Sequence, residues 1–345
     1  MRIGVLTGGG DAPGLNAAIR AVARRAFTRN LKVSGIKNGW AGVLGHGEIE
    51  DLTPQSTRGI LPLGGTILGT SRTNPLKEED GIPRVVKVLE RYGIDGLVAI
   101  GGDDTLSVAV ALNEAGFPVV GVPKTIDNDL SATEFCIGFD TAVGVVVDAL
   151  DRLHTTASAH HRVMVVEVMG RDTGWVAMEG GLAGGADMII IPEFPVALDE
   201  VVEHLHRRRG EGRYFSIIVA AEGIRMKELE GTDAAAEHKT DAFGHVQLAK
   251  QGVGDALSRH IEAATGFETR VTVLGHLQRG GTPSSVDRIC ATRLGSAAAD
   301  LLADGKSGLI PVRRNGEVVI IPLKDVVAEQ RRVPAELYEL AKVFG

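Results

Sequence analysis

The sequence predicts an α/β protein with mostly parallel strands, and three observations carry that expectation. Short runs rich in β-branched residues alternate with longer stretches whose apolar residues recur three and four positions apart. Glycine clusters stand where a predicted strand hands over to the next element, after 3–6 and again after 97–100. The length, 345 residues, suits about two domains.

Strands are predicted over 3–6, 32–36, 97–100, 119–122, 163–168, 188–191, 216–220 and 271–274, all rich in Val, Ile and Leu. Helices are predicted over 17–27, 105–115, 143–156, 198–208 and 287–302 from their apolar spacing. Parallel strands of this kind are expected to be buried on both faces. The pattern fails between 224 and 255, where Glu, Lys, Ala and Gly dominate; its first part, to about His245, reads as an exposed insertion or mobile loop. After Gly305, an apolar run over 318–323 and a charged stretch beyond Val326 read as a last strand and helix.

Composition narrows the class. Apolar residues at 44% and charged residues at 23% exclude a disordered chain, and no collagen period is present. Charge-free stretches such as 59–71 fall short of the roughly 18–20 apolar residues that cross a membrane. The N-terminus lacks the basic segment and longer apolar run of a secretory or transit signal. Cys136 and Cys290 alone make no disulfide framework, so a reducing cytoplasm is expected. The net charge of −7 argues against general nucleic-acid binding.

Glycine is the outlier, with 45 residues, about 13% of the chain against ~7% in ordinary proteins. Gly8-Gly9-Gly10-Asp11-Ala12-Pro13-Gly14 follows the first strand, and Gly101-Gly102-Asp103-Asp104-Thr105 follows the third. Ligands of open α/β sheets bind at such carboxyl ends, where strand order reverses. Neither standard fingerprint is met. Gly9 and Gly14 have P-loop spacing, but Leu15 and Asn16 follow instead of Lys and Ser or Thr. A dinucleotide motif fails at Pro13 and lacks the later acidic residue. The amides of Gly9, Gly10 and their neighbours are still suited to an anion nest ahead of a helix.

Asp103 beside such a nest suits Mg²⁺, which takes one or two carboxylates and completes its shell with water and phosphate oxygens; it equally suits a helix cap before Thr105. A third strand end, Pro123-Lys124-Thr125-Ile126-Asp127-Asn128-Asp129, adds one ammonium and two carboxylates. Phosphoryl transfer to a hydroxyl needs a metal on the donor, positive charge for the developing oxyanions and a carboxylate for the hydroxyl proton. Asp103, Lys124 and Asp127 are candidates for those three roles.

With Met169-Gly170-Arg171 and Gly275-His276-Leu277-Gln278-Arg279-Gly280-Gly281-Thr282-Pro283, these motifs make the chain resemble the 6-phosphofructokinase family from residue 7 to about 293. The resemblance implies two αβα-layered, Rossmann-like domains. The larger, 1–138 plus about 278–305, is expected to bind the phosphoryl donor and Mg²⁺. The smaller, 139–277 plus about 306–345, is expected to bind fructose 6-phosphate, in the cleft between the two. By family role Asp127 is the general base for the sugar 1-hydroxyl, Asp103 binds Mg²⁺, and Asp129 supports it through water. Gly10 and Gly102 belong to the donor-phosphate site, and Arg72 reaches the transferring phosphoryl group. Thr125, Ile126, Met169, Gly170, Arg171 and Glu222 hold the sugar. His276, Leu277, Gln278 and Arg279 hold its 6-phosphate end, joined by Arg162 and Arg270 from across a subunit interface, which implies a homo-oligomer, a dimer or a tetramer. Bidentate guanidinium contacts suit a phosphate of nearly two negative charges. His154, His160 and His161 lack a second ligand set and read as structural or interface histidines.

The resemblance also addresses the donor. ATP-using relatives resemble Gly-Gly-Asp-Gly, whereas here Asp104 follows Gly102-Asp103. A carboxylate near a nucleotide's α-phosphate is repelled by about 4 kcal/mol at ~4 Å and an effective dielectric near 20, roughly a thousandfold in affinity. Pyrophosphate has no third phosphate and escapes that clash. Lys124 stands where ATP-using members commonly carry glycine and supplies charge to a donor without adenosine. Trp40 and Val108, at positions lining the nucleotide site in relatives, fit a filled adenine pocket or plain packing. The expected reaction is transfer from pyrophosphate to the 1-hydroxyl of fructose 6-phosphate, in the reversible direction of glycolysis. The alternatives are an ATP-dependent 6-phosphofructokinase and, less well matched, a lipid or dinucleotide kinase sharing the Gly-Gly-Asp turn.

Overall fold

The computed structural model describes residues 1–45, 48–226 and 252–345. In chain order its strands are β1 (Arg2–Thr7), β2 (Lys32–Ile36), β3 (Ile49–Leu52), β4 (Gly96–Gly101), β5 (Val119–Pro123), β6 (Val163–Val168), β7 (Met188–Ile190), β8 (Ser216–Ala221), β9 (Thr269–Val273), β10 (Leu309–Arg314) and β11 (Glu317–Pro322). Its helices are α1 (Leu15–Thr28), α2 (Ala41–Leu44), α3 (Gly81–Arg91), α4 (Asp103–Glu114), α5 (Phe139–His160), α6 (Trp175–Ala183), α7 (Leu198–Gly210), α8 (Val253–Thr265), α9 (Ser285–Ala303), α10 (Leu323–Val326) and α11 (Ala335–Lys342). The chain divides into two compact units, Met1–Thr141 with Arg279–Arg331, and Ala142–Gln278 with Arg332–Gly345.

The first unit is built on a sheet of order β11-β10-β5-β4-β1-β2-β3, parallel except at β3 and β11. Alternating side chains of a strand face opposite layers, and both layers here are apolar. Ile3, Val5, Val98, Ile100, Val120 and Val122 pack with Leu15 and Ile19 of α1 and Leu294 of α9. Leu6, Leu97, Ala99 and Val119 pack on the other side with Val43, Leu89, Leu106 and Leu112 of α2, α3 and α4. Helices therefore cover both faces, and every residue of β4 and β5 is buried, as expected of parallel strands. β1 lies between β2 and β4, so strand order reverses there, and both Gly-Gly turns leave the sheet at that point.

In the second unit β7-β8-β6-β9 is parallel throughout. α8 lies along β6 and β9, and α6 along β7 and β8. β6 lies between β8 and β9 and is parallel to both, so the turns that follow these three strands stand side by side.

Two strands escaped the sequence reading, and one moves a boundary. β10 pairs with β11 through Asn315-Gly316, both with positive φ (50° and 75°), the turn that a two-residue Asn-Gly hairpin adopts. Leu309 of β10 pairs with Val120 of β5, so residues 306–331 join the first unit and not, as expected, the second. Short β3 was missed too. α6 was missed because its sequence is apolar all round and has no helical period. α3 was missed because Gly81 and Pro83 at its start read as a turn. The insertion expected over 224–245 lies, from 227 on, outside the described residues. Cys136 and Cys290 are buried free thiols, and no helix among the described residues is long and apolar enough to cross a membrane.

Candidate active site

The turn after β1 is held against the turn after β4 by backbone. Gly8 N–H donates to the Ile100 carbonyl (3.0 Å), and the Thr105 side chain fills the space where either glycine would carry a Cβ: one added to Gly8 would lie 2.5 Å from Thr105 Oγ1, and one on Gly101 would meet Thr105 Cβ. Glycine is required at both positions by that close approach. The turn after β5 is drawn into the same place, because Lys124 N–H donates to the Gly101 carbonyl (3.0 Å) and Ile137 N–H to the Pro123 carbonyl (3.2 Å).

Two of the amides expected in the anion nest are already engaged. Gly8 N–H serves Ile100, and Gly9 N–H donates to the Ser71 carbonyl (3.3 Å), so the nest is corrected to positions beyond Gly9. What replaces them is cationic. Lys124, 2% exposed, donates from Nζ to the Gly10 carbonyl (2.5 Å), and Arg279 Nη1 donates to the Asp11 carbonyl (3.0 Å). A Cβ on Gly10 would collide with the Arg279 guanidinium. Burial first, and then Arg279, bring the Lys124 ammonium down to about 8, against the opposing pull of Asp127 and Asp11. Two like charges converge on one glycine turn at the reversal point of the sheet, an arrangement that an anion would relieve.

The carboxylates stand around it. α4 begins at Asp103 with extended Gly102 as its N-cap residue, so the cap reading of Asp103 is removed; Asp103 and Asp104 are first-turn carboxylates, the former exposed and the latter half-buried. Along 125–130 burial alternates: Thr125, Asp127 and Asp129 are half-buried, while Ile126, Asn128 and Leu130 are buried. Thr125 Oγ1 accepts from Asp127 N–H (3.1 Å), and Asn128 Oδ1 accepts from Cys136 N–H (2.9 Å), which fixes the loop that carries Asp127. Ile126 is 0% exposed, so its expected sugar contact is corrected to a packing role for the side chain. Gln330 Nε2 reaches Asp129 Oδ2 at 3.4 Å, and Arg72 is exposed. Trp40 and Val108 are both buried in one apolar cluster.

Sequence reasoning passed over Asp287. Fully buried in the first turn of α9, its carboxylate accepts from Gly138 N–H (2.6 Å), Thr141 N–H (2.8 Å) and Thr141 Oγ1 (2.5 Å). It thereby anchors the start of α5, next to Ile137 and hence to Lys124. The signal was legible as Ser284-x-x-Asp287, a helix-capping spacing, and Ser284 Oγ does accept from Asp287 N–H (3.1 Å).

In the second unit Met169, Gly170 and Arg171 leave β6, Glu222 leaves β8, and a 3₁₀ turn, Gly275–Arg279, follows β9. Glu222 N–H donates to the Val168 carbonyl (2.8 Å) and Gly223 N–H to the Gly170 carbonyl (3.0 Å). Gln278 is 0% exposed, accepts from Met169 N–H (3.3 Å) and donates to the Gly275 carbonyl (3.1 Å). Its expected contact with substrate is corrected accordingly: it ties two loops together. His276 and Leu277 are exposed. Arg162 and Arg270 are not with these residues. Arg162 precedes β6 and Arg270 is the second residue of β9, opposite Met164, so both stand at the amino ends of strands whose carboxyl ends carry Met169 and His276. β6 alone separates the two ends by roughly 16 Å at about 3.3 Å per residue. His154 is structural, bonded to the Gly184 carbonyl (2.9 Å), and His160 and His161 are exposed.

A sequence model of the family described as phosphofructokinase matches residues 2–302. The chain belongs to the phosphofructokinase family. It is 51% identical to the pyrophosphate–fructose 6-phosphate 1-phosphotransferase of Amycolatopsis methanolica, over 100% of this chain and 99% of that protein. It is 48% identical to the ATP-dependent 6-phosphofructokinase of Chloroflexus aggregans, over 96% of this chain and 92% of that one. Among solved structures, the phosphofructokinase of Pichia pastoris superposes with a TM-score of 0.83 at 32% identity, covering 95% of this chain and 35% of its own, longer chain. The phosphofructokinase fold is thus that of the described units. Relatives named for either donor are nearly equally similar, so overall identity does not choose between pyrophosphate and ATP; individual residues must.

Proposed function

We propose that this phosphofructokinase transfers a phosphoryl group from pyrophosphate to the 1-hydroxyl of fructose 6-phosphate, giving fructose 1,6-bisphosphate and orthophosphate. The observation that carries the reading is the buried Lys124 ammonium on the Gly10 carbonyl with Asp104 in the first turn of α4. Lys124 supplies concentrated charge to a donor with no adenosine to bind, and Asp104 opposes a third phosphate.

Asp127 takes the proton from the sugar 1-hydroxyl. The hydroxyl oxygen forms its bond to the transferring phosphorus as the bridging P–O bond of pyrophosphate breaks, and orthophosphate leaves with that electron pair. Lys124 and the amides beyond Gly9 offset the charge on the donor oxygens, and Arg72 is assigned to the phosphoryl group in transit. Among the described residues no group of three or more His, Cys, Asp or Glu gathers as a metal cage. The exposed Asp103 carboxylate fits Mg²⁺, which is held by one or two carboxylates and otherwise by water and phosphate, and which when bound polarises the donor phosphates. Thr125, Met169, Gly170, Arg171 and Glu222 hold the sugar, and His276, Leu277 and Arg279 its 6-phosphate end. Arg162 and Arg270, at the other end of the same sheet, serve the 6-phosphate of a second copy, which makes the working enzyme a homo-oligomer. The setting is the cytoplasm, in keeping with the two free thiols.

The ATP-dependent reading keeps one observation in its favour, the relatives so named at 48% identity. A donor assay decides between them: turnover of fructose 6-phosphate with Mg-pyrophosphate and little with Mg-ATP is expected, and the reverse pattern overturns the proposal.

A further inference from the structure

Glu268 lies between α8 and β9, and one oxygen of its carboxylate receives two guanidinium groups, Arg162 Nη2 at 2.8 Å and Arg270 Nη2 at 2.5 Å. Its own backbone is fixed to the sheet, because Val163 N–H donates to the Glu268 carbonyl (3.0 Å). Arg270 is held a second time, by Nη1 on the Thr269 carbonyl (2.9 Å), with Glu262 Oε1 at 3.5 Å. Arg162 Nε is buried and has no hydrogen-bond partner, so the hold on Arg162 comes from Nη2 on Glu268. Two guanidinium groups brought side by side repel, and an isolated pair would splay into water. One carboxylate shared between them turns the repulsion into a three-charge cluster with fixed geometry, leaving the outer N–H groups for a dianion.

We propose that Glu268 is the positioning residue of the Arg162–Arg270 pair, holding both side chains in the arrangement that receives the phosphate monoester of a second copy's sugar. The inference rests on the reading that those arginines bind the 6-phosphate. Glu268 touches no reacting atom, so its loss acts on sugar binding and not on the chemical step.

The test is steady-state kinetics on full-length Glu268→Ala, Glu268→Gln and Glu268→Asp beside Arg162→Ala, Arg270→Ala and the double variant Glu268→Ala/Arg162→Ala. Glu268→Ala is expected to raise KM for fructose 6-phosphate about ten- to a hundredfold, the range of a charge-assisted hydrogen bond, with kcat and KM for pyrophosphate within about twofold. Glu268→Gln, isosteric but uncharged, should follow Glu268→Ala, and Glu268→Asp should recover part of the loss. In the Arg162→Ala background the same Glu268→Ala change should cost under about twofold, because no pair remains to be held. An unchanged or lowered sugar KM in Glu268→Ala, a matching fall in kcat, or an undiminished effect in the Arg162→Ala background each overturns the inference while leaving the arginine assignment intact. If instead Arg162→Ala and Arg270→Ala leave the sugar KM unchanged, the assignment of the pair fails and the inference falls with it.

Discussion

The two units arrange the residues proposed to bind anions by opposite means. In the first, charge is packed inward: Lys124 is 2% exposed, its ammonium sits on a backbone carbonyl, and three turns from β1, β4 and β5 are laced together by main-chain hydrogen bonds. In the second, the basic residues assigned to phosphate are less enclosed, with the Arg270 side chain 52% and the Arg162 side chain 27% exposed, and they are divided between the two ends of one parallel sheet. The first arrangement suits charge stabilisation during reaction, where dipoles fixed in advance and sheltered from water act most strongly. On the proposed function the second suits capture of a ready-made dianion, and its division calls for a second copy to complete the site.

The largest effect should come from breaking the chemistry in the first unit. Asp127→Ala is expected to lower kcat by about 10²- to 10⁴-fold with little change in KM for the sugar. Co-expressing Asp127→Ala with Arg162→Ala chains should return part of the activity, because a mixed oligomer contains a site with Asp127 from one chain and Arg162 from the other. No return would confine each site to one chain and erase the contrast between the units. Next comes the donor. Asp104→Gly should raise kcat/KM for Mg-ATP by up to about a thousandfold by removing the like charge. An unchanged donor preference would show that the carboxylate at 104 does not select the donor.

Much of this was readable from residues, unevenly. The parallel strands and their turns were legible because β-branched runs ending in Gly-Gly-Asp leave few alternatives, and the αβα layering follows from burial on both faces. The carboxylate and lysine of 123–129 were legible as chemistry before any fold was in hand. Positions that depend on distant partners were not. Nothing local marks Gln278 as a buried tie to Met169, or Gly9 N–H as already engaged by Ser71. β10 was missed although Asn315-Gly316 announces its hairpin, because a run interrupted by Pro311 and ending in two arginines does not read as a strand. That Arg162 and Arg270 stand at the far end of the sheet is a matter of register, which composition does not encode.

The burial of Lys124 makes a smaller prediction that tests the inward half of the contrast. With its ammonium at about 8 in the folded protein and ~10.4 when unfolded, the pyrophosphate-dependent rate should fall as pH rises through about 8, and Lys124→Met should lose that limb along with most of its activity. The sign for stability is opposite. Between about 8 and 10.4 the unfolded chain holds a proton the native state has released, so stability contributed by this group rises with pH across that window, and Lys124→Met should flatten the rise.

The smallest effect is expected at Asp287, the buried anchor behind Lys124. Burial pushes this carboxyl up to about 6 despite three hydrogen bonds that favour its ionised form. From about 4 to 6 the native state therefore holds a proton that the unfolded chain has lost, and stability from this group falls as pH rises through that interval. Asp287→Asn should abolish that slope. It should also lower stability at pH 7 by about 1–3 kcal/mol, because the amide presents a donor toward one of the N–H groups of Gly138 or Thr141. Urea denaturation at pH 5 and pH 7 reads both quantities. If the slope persists in the variant, another group titrates there; if stability does not fall, the start of α5 is held by its packing and the first unit depends less on buried charge than the contrast with the second requires.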